Sequence, residues 1–268
     1  MTNPESTLRS LLPVGFLATR QWLLANGVPR HLLDNWLKSE KISPVARGVF
    51  VRPDTVLTWQ GVVASLQRMG IALTPGGLTA LAMQGLTHYL SPREQRTIQL
   101  YGTPKLPEWA NTILPTVQFS RRNCLDIDHT EGSRVGLVPW QMPGVAFGVE
   151  QPPVQISSPE LAIMEVLMDV PAGVSLEHAS LLLDGLPTLS PIRLSRLLAV
   201  CPSVKVKRLF LWLAEETASP WLARLDLTKL TMESGNLGAG KRMIVKGGIL
   251  NAKYQITVPR EFAGHANQ

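Results

Sequence analysis

Between residues 19 and 52 the chain carries two short segments of helical apolar spacing, 19–25 and 29–39, divided by Asn26-Gly27, and then a hairpin pattern over 42–52. No other stretch constrains the fold as tightly. A break of three or four residues between two helices fixes their crossing angle, and that angle is what lets the second helix of a helix-turn-helix enter a major groove. Asn26-Gly27 meets the requirement, because Gly enters the positive-φ region at little cost and Asn tolerates it better than most residues.

The second segment separates its residues cleanly. Leu32, Leu33, Trp36 and Leu37 form one stripe of a 3.6-residue period, with Arg30, His31, Asp34, Asn35 and Lys38 on the opposite side. Pro29 fits the first helical turn, where its missing N–H is not needed. Arg30, His31, Asn35 and Lys38 are therefore candidates to face nucleic acid, with Asp34 a neighbour of the wrong sign that orients one of them. The alternative is an ordinary solvated helix face. The hairpin favours the first reading: Ala46-Arg47-Gly48 is a turn signal that puts Arg47 at or beside the tip of a wing, and Val49 and Val51 alternate with Phe50 and Arg52 as in a half-buried strand. Residues 1–53 hold seven Lys or Arg against three acids, so four of the chain's six net positive charges fall in this segment. Phosphate neutralisation requires charge placed in this way.

Beyond residue 53 the pattern changes twice. Helical spacing is expected over 59–69 and 77–85, followed by short β-branched runs over 97–101, 116–119, 135–138 and 145–149 among many prolines. Ser158-Pro159-Glu160 then opens a helix with a cap, a first-turn Pro and an acid at the positive dipole end, its buried stripe being Leu161, Met164, Leu167 and Met168. Further helices are expected over 176–183, 190–199 and 204–216, and closing strands over 242–246 and 254–258. The class is α+β: an N-terminal winged helix-turn-helix followed by a larger mixed α+β domain. With 268 residues and roughly 150 per domain, the expected division is 1–55, a connecting section 56–155 and a C-terminal section 156–268, the last two forming one domain in the simpler version.

Several function classes are disfavoured. Gly235-Asn236-Leu237-Gly238-Ala239-Gly240-Lys241-Arg242 matches G-x-x-x-x-G-K, but Arg242 stands where a phosphate-binding loop needs Ser or Thr for Mg²⁺, and the following residues look extended rather than helical. The loop is better read as tight and basic, with Lys241, Arg242, Lys246 and Lys253 available as a cationic patch. Asp126-Ile127-Asp128-His129 offers three metal-ligand types, with no second cluster at ligand spacing and the other histidines scattered. Nucleophile and zinc-protease motifs are not apparent. Trp140, Trp212 and Trp221 read as core or corner residues. The expectation is no enzyme, no cofactor and no metal. Cys124 and Cys201 form no C-x-x-C pair and read as free thiols in a reducing compartment, and no run reaches the 18 apolar residues of a membrane span, so a cytoplasmic protein is expected.

Taken in order, Ala18-Thr19-Arg20, Gly27-Val28-Pro29-Arg30, Ala46-Arg47-Gly48-Val49-Phe50-Val51-Arg52, Gly77-Leu78-Thr79-Ala80-Leu81-Ala82-Met83-Gln84-Gly85-Leu86, Ser158-Pro159-Glu160-Leu161-Ala162, Glu165-Val166-Leu167, Val206-Lys207-Arg208-Leu209-Phe210, Leu237-Gly238-Ala239-Gly240-Lys241-Arg242 and Lys253-Tyr254-Gln255-Ile256-Thr257-Val258-Pro259 resemble the AbiEi antitoxins of bacterial abortive-infection systems. The resemblance implies an autoregulatory repressor whose N-terminal winged helix binds inverted repeats in operator DNA. It also implies a C-terminal domain that counters a nucleotidyltransferase-like toxin without a stable complex. Carried onto this sequence, it puts Arg20, Arg30, His31, Asn35, Lys38 and Arg47 on DNA-reading elements, and Lys207, Arg208, Lys241, Arg242 and Lys253 in a basic part of the antitoxin half. It suggests no catalytic residue. A rival reading keeps the winged helix but makes the C-terminal half an effector pocket of a ligand-sensing regulator without a toxin partner.

Overall fold

A computed structural model describes residues 4–53, 55–87, 96–125, 127, 133–137, 154–228 and 237–264. The chain divides into two compact units, one drawn from 1–75, 92–122 and 136–156, the other from 76–91, 123–135 and 157–268.

In the first unit, α1 (Pro4–Leu11) precedes β1 (Leu17–Thr19), α2 (Arg20–Ala25), α3 (Arg30–Lys38), β2 (Ser43–Ala46) and β3 (Val49–Val51). β3 is central in the sheet and pairs antiparallel with both β1 and β2. Leu8, Leu12, Ala18, Leu23, Val28, Leu33, Trp36, Ile42 and Phe50 make one buried cluster against which Leu32 and Leu37 pack. This order and pairing are consistent with a winged helix. Neither α1 nor β1 was expected: α1 is short, and a three-residue strand has no periodicity of its own. β1 exists because β3 offers it an edge. For the same reason Val49, Phe50 and Val51 are all buried, correcting the half-buried alternation expected there. Pro29 is also placed one position differently. It is the N-cap of α3, with φ −64° and ψ 150°, rather than a first-turn residue.

α4 (Trp59–Arg68) is capped by Thr58, and its Ser65 hydroxyl accepts the amide of Leu17 at 3.0 Å. The guanidinium of Arg68 lies 5.4 Å from the Trp22 ring centre and 5.9 Å from that of Phe16. A second sheet joins β4 (Thr74–Pro75), β5 (Thr97–Tyr101) and β6 (Gln118–Arg122), with β5 and β6 parallel. Residues 97–101 fall as expected, whereas the run expected over 116–119 forms two residues later. Between β5 and β6 runs a short 3₁₀ turn, Glu108–Asn111. Two more strands follow in sequence, β7 (Arg134–Leu137) and β8 (Val154–Ser157). The run expected over 145–149 lies outside the described residues.

The second unit is built around one helix. α5 (Gly77–Met83), α7 (Leu176–Asp184), α8 (Pro191–Val200) and α9 (Val204–Glu216) all pack on α6 (Pro159–Met168). Ser158, Ser175, Ser190 and Ser203 cap α6, α7, α8 and α9, each accepting a first-turn amide, worth about 1 kcal/mol apiece. Surrounded by four helices, α6 buries every residue from Glu160 to Leu167 rather than the single stripe expected. Its acids are satisfied in place. Glu165 accepts the amide of Gly77 at 2.8 Å and the hydroxyl of Ser157 at 3.0 Å, while Glu160 accepts the amide of Ser190 at 2.8 Å and faces Arg193 at 3.4 Å. A small sheet of β9 (Arg242–Met243), β11 (Ile256–Val258) and β10 (Ile249–Asn251), in the spatial order β10-β11-β9, closes the unit. Trp212 and Trp221 are core residues, Trp221 stacked on Phe210 with ring centres 5.4 Å apart. Trp140 is outside the described residues.

Candidate nucleic-acid interface

α2 begins where Thr19 turns its hydroxyl onto the amide of Trp22, and it ends at Asn26. Gly27 takes φ 84° and Val28 is buried, so the four residues 26–29 turn the chain sharply into α3. α3 then buries Leu33 and Trp36 and half-buries Leu32 and Leu37. At 100° per residue the other five residues fall on one arc in the order Arg30, Asp34, Lys38, His31, Asn35, and all five are exposed. The expected reading face is therefore continuous. Asp34 sits within it, one turn from Arg30 and one from Lys38.

Arg20 connects this face to the wing. Its guanidinium is 3.6 Å from the Asp34 carboxylate and 5.7 Å from the Phe50 ring centre, and its backbone amide donates to the carbonyl of Gly48 at 2.7 Å. The wing is a two-residue turn, Arg47-Gly48, between Ala46 and its register partner Val49, with Gly48 at φ 71°. Arg47 is exposed at that turn. Arg20 and Arg47 then share a cleft of about 430 Å³ with Thr19, Gln21, Leu24 and Trp109. Asp34, Arg20 and Arg47 thus bring α3, α2 and the wing into one surface. No sequence pattern marks Trp109, which lies 62 residues beyond Arg47 in a proline-rich connection; only the folded chain places it beside the wing.

The basic residues of the C-terminal half are divided. Lys241, Arg242 and Lys253 are exposed, and Lys253 pairs with Glu215, which also accepts the Tyr254 hydroxyl at 2.6 Å. Lys207 and Arg208, expected in the same basic patch, are buried at 4% and 0% exposure, which removes them from its exposed cations. The physical reason is visible for Arg208. Its guanidinium donates to the carbonyls of Leu237 at 2.7 Å, Gly238 at 2.7 Å and Gly240 at 2.6 Å, and to that of Gln255 at 3.2 Å. The Gly-rich loop therefore turns carbonyl oxygens inward onto a cation, whereas a phosphate cradle turns amides onto an anion. From Arg242 it runs into β9 rather than a helix; Gly235 and Asn236 lie outside the described residues, as do Asp126, Asp128 and His129. Cys124 is half-buried; Cys201 is buried, and burial pushes its thiol up from its ordinary value. Among the described residues no helix is long and apolar enough to cross a membrane.

Comparison with known proteins adds the following. Residues 2–92 match the family described as transcriptional regulator, AbiEi antitoxin N-terminal domain. Residues 95–259 match that described as transcriptional regulator, AbiEi antitoxin, type IV toxin–antitoxin system. No curated protein matches the chain. Among solved structures, the crystal structure of RV2827C protein from Mycobacterium tuberculosis aligns with 94% of this chain and 88% of that one, at 16% identity and a TM-score of 0.49.

Proposed function

The chain belongs to the AbiEi family of antitoxins and transcriptional regulators of type IV toxin–antitoxin systems, and on that premise we propose that it represses its own promoter by binding inverted-repeat operator DNA through residues 17–51. The observation that carries this reading is the unbroken exposed arc of α3, joined through Arg20 to the wing tip. In this reading Arg30, His31 and Asn35 contact base edges, and Arg20, Lys38 and Arg47 hold phosphates and set the register. The C-terminal half counters a nucleotidyltransferase-like toxin, with Lys241, Arg242 and Lys253 as its exposed cations, and without a lasting complex. The protein acts in the cytoplasm and catalyses nothing.

Titration of the full chain against the duplex upstream of its own gene and against a scrambled duplex tests the repressor part. Affinity for the first should exceed that for the second by about 10³-fold or more; equal affinities would remove it. Co-expression with an adjacent nucleotidyltransferase-like frame tests the antitoxin part, and growth arrest that this chain does not relieve would defeat it.

A further inference from the structure

One wall of the cleft beside the wing comes from outside the helix-turn-helix. Trp109 is carried by the 3₁₀ turn Glu108–Asn111, and that turn is held firmly. The carbonyl of Trp109 accepts both the amide of Thr112 at 3.0 Å and its hydroxyl at 2.8 Å. Asn111 brackets the backbone of Phe119 in β6, donating at 3.2 Å and accepting at 2.7 Å. On the other side, Arg121 donates to the carbonyls of Gly102, Thr103 and Pro104 and so fixes the loop leading to Lys105, which is exposed. Trp109 itself is half-buried on this anchored turn.

The cleft's chemistry is mixed in a specific way. An aromatic residue, Trp109, and two cationic ones, Arg20 and Arg47, line it together, and among the described residues Arg47 has no carboxylate partner. A small anion would neutralise Arg47 and leave the ring in water; an apolar ligand would do the reverse. A sugar–phosphate backbone satisfies both, with phosphates on the cations and the deoxyribose edge on the ring. We infer that Trp109 belongs to the duplex-binding surface and packs against the sugar of the strand whose phosphates Arg20 and Arg47 hold. The inference rests on the operator-binding reading, and it adds a contact that reads no base.

The test is Trp109→Ala in the full chain, measured by titration on the upstream and scrambled duplexes and by hydroxyl-radical footprinting of deoxyribose positions. Half of a Trp face removed from water corresponds to a loss of about tenfold. The loss should be the same on both duplexes, leave the salt slope unchanged, and uncover sugars next to the half-site that the wild-type chain protects. Trp109→Phe should recover most of the affinity. If Trp109→Ala does not fold, Trp109→Leu makes the same test, since it keeps apolar bulk in the turn without a flat ring. Wild-type affinity and footprint in a folded Ala or Leu variant would overturn the inference while leaving the repressor reading intact. Equal wild-type affinity for the two duplexes would overturn the repressor reading alone; the Trp109 contact then stands if Trp109→Ala still loses about tenfold on both duplexes and falls if it loses nothing.

Discussion

The backbone amide of Arg20 donates to the carbonyl of Gly48 at 2.7 Å, so the first residue of α2 and the wing turn are tied by the main chain itself. This bond spans 28 residues of sequence and holds the wing turn against the start of α2. It depends on Gly48 holding φ 71°, a conformation that strains any β-branched residue.

Gly48→Val should therefore destabilise the fold by about 1–2 kcal/mol, through backbone strain rather than a clash, since a Cβ there would meet only the Arg20 Cβ at 4.0 Å. Gly48→Asn should cost much less. Urea midpoints of the two variants check the order, and equal midpoints would refute it.

Arg30→Ala should cost about 1–3 kcal/mol of operator binding and relax sequence preference, whereas Lys38→Ala should weaken all duplexes alike and lower the salt slope by about one. Both side chains are exposed on α3, so stability should hardly change. Titrations at several salt concentrations distinguish the two; the same behaviour from both variants would contradict their assigned roles.

Asp34 stands in the exposed arc of α3 and pairs with Arg20 at 3.6 Å, with the two side chains 53% and 42% exposed. Such a pair contributes about 0–1 kcal/mol to stability. Asp34→Asn should leave the thermal midpoint nearly unchanged but tighten binding to scrambled duplex, because it removes repulsion of phosphate and frees Arg20. Weaker binding by the variant would show that Asp34 positions Arg20 productively.

Arg208 is fully buried and serves four carbonyls. Arg208→Met leaves those oxygens without their donor and should destabilise the chain by about 3 kcal/mol or more. Arg208→Lys should rescue little, since one ammonium cannot span the positions a planar guanidinium reaches. A denaturation midpoint for the Lys variant near that of the wild type would disprove the clamp.

Tyr254 is buried, and it donates to the Glu215 carboxylate at 2.6 Å; burial first and this bond second hold its phenol well above the ordinary value. The folded chain then keeps a proton that the unfolded chain releases near pH 10. Stability from this group is full below the unfolded value of about 10 and falls as pH rises above it. Tyr254→Phe should make the alkaline limb of a stability–pH curve shallower; an unchanged limb would rule the group out.

Whatever short-range physics controls is legible in the residues alone. The break at Asn26-Gly27, the Ser158 and Ser190 caps and the bounds of α9 follow from φ preferences and from bonds between residues three or four apart, and the exposed arc of α3 follows from its period alone. Features that depend on a partner distant in the chain emerge only on folding. β1 needed the edge of β3; α6 lost its solvent face to four neighbouring helices; Lys207 and Arg208 were withdrawn from the basic patch, Arg208 by carbonyls 29 to 47 residues away. The setting of Trp109 beside Arg47 belongs to the same class. A charge pattern gives the sign of a side chain, but only the surrounding fold decides whether that charge meets solvent or is spent on the backbone.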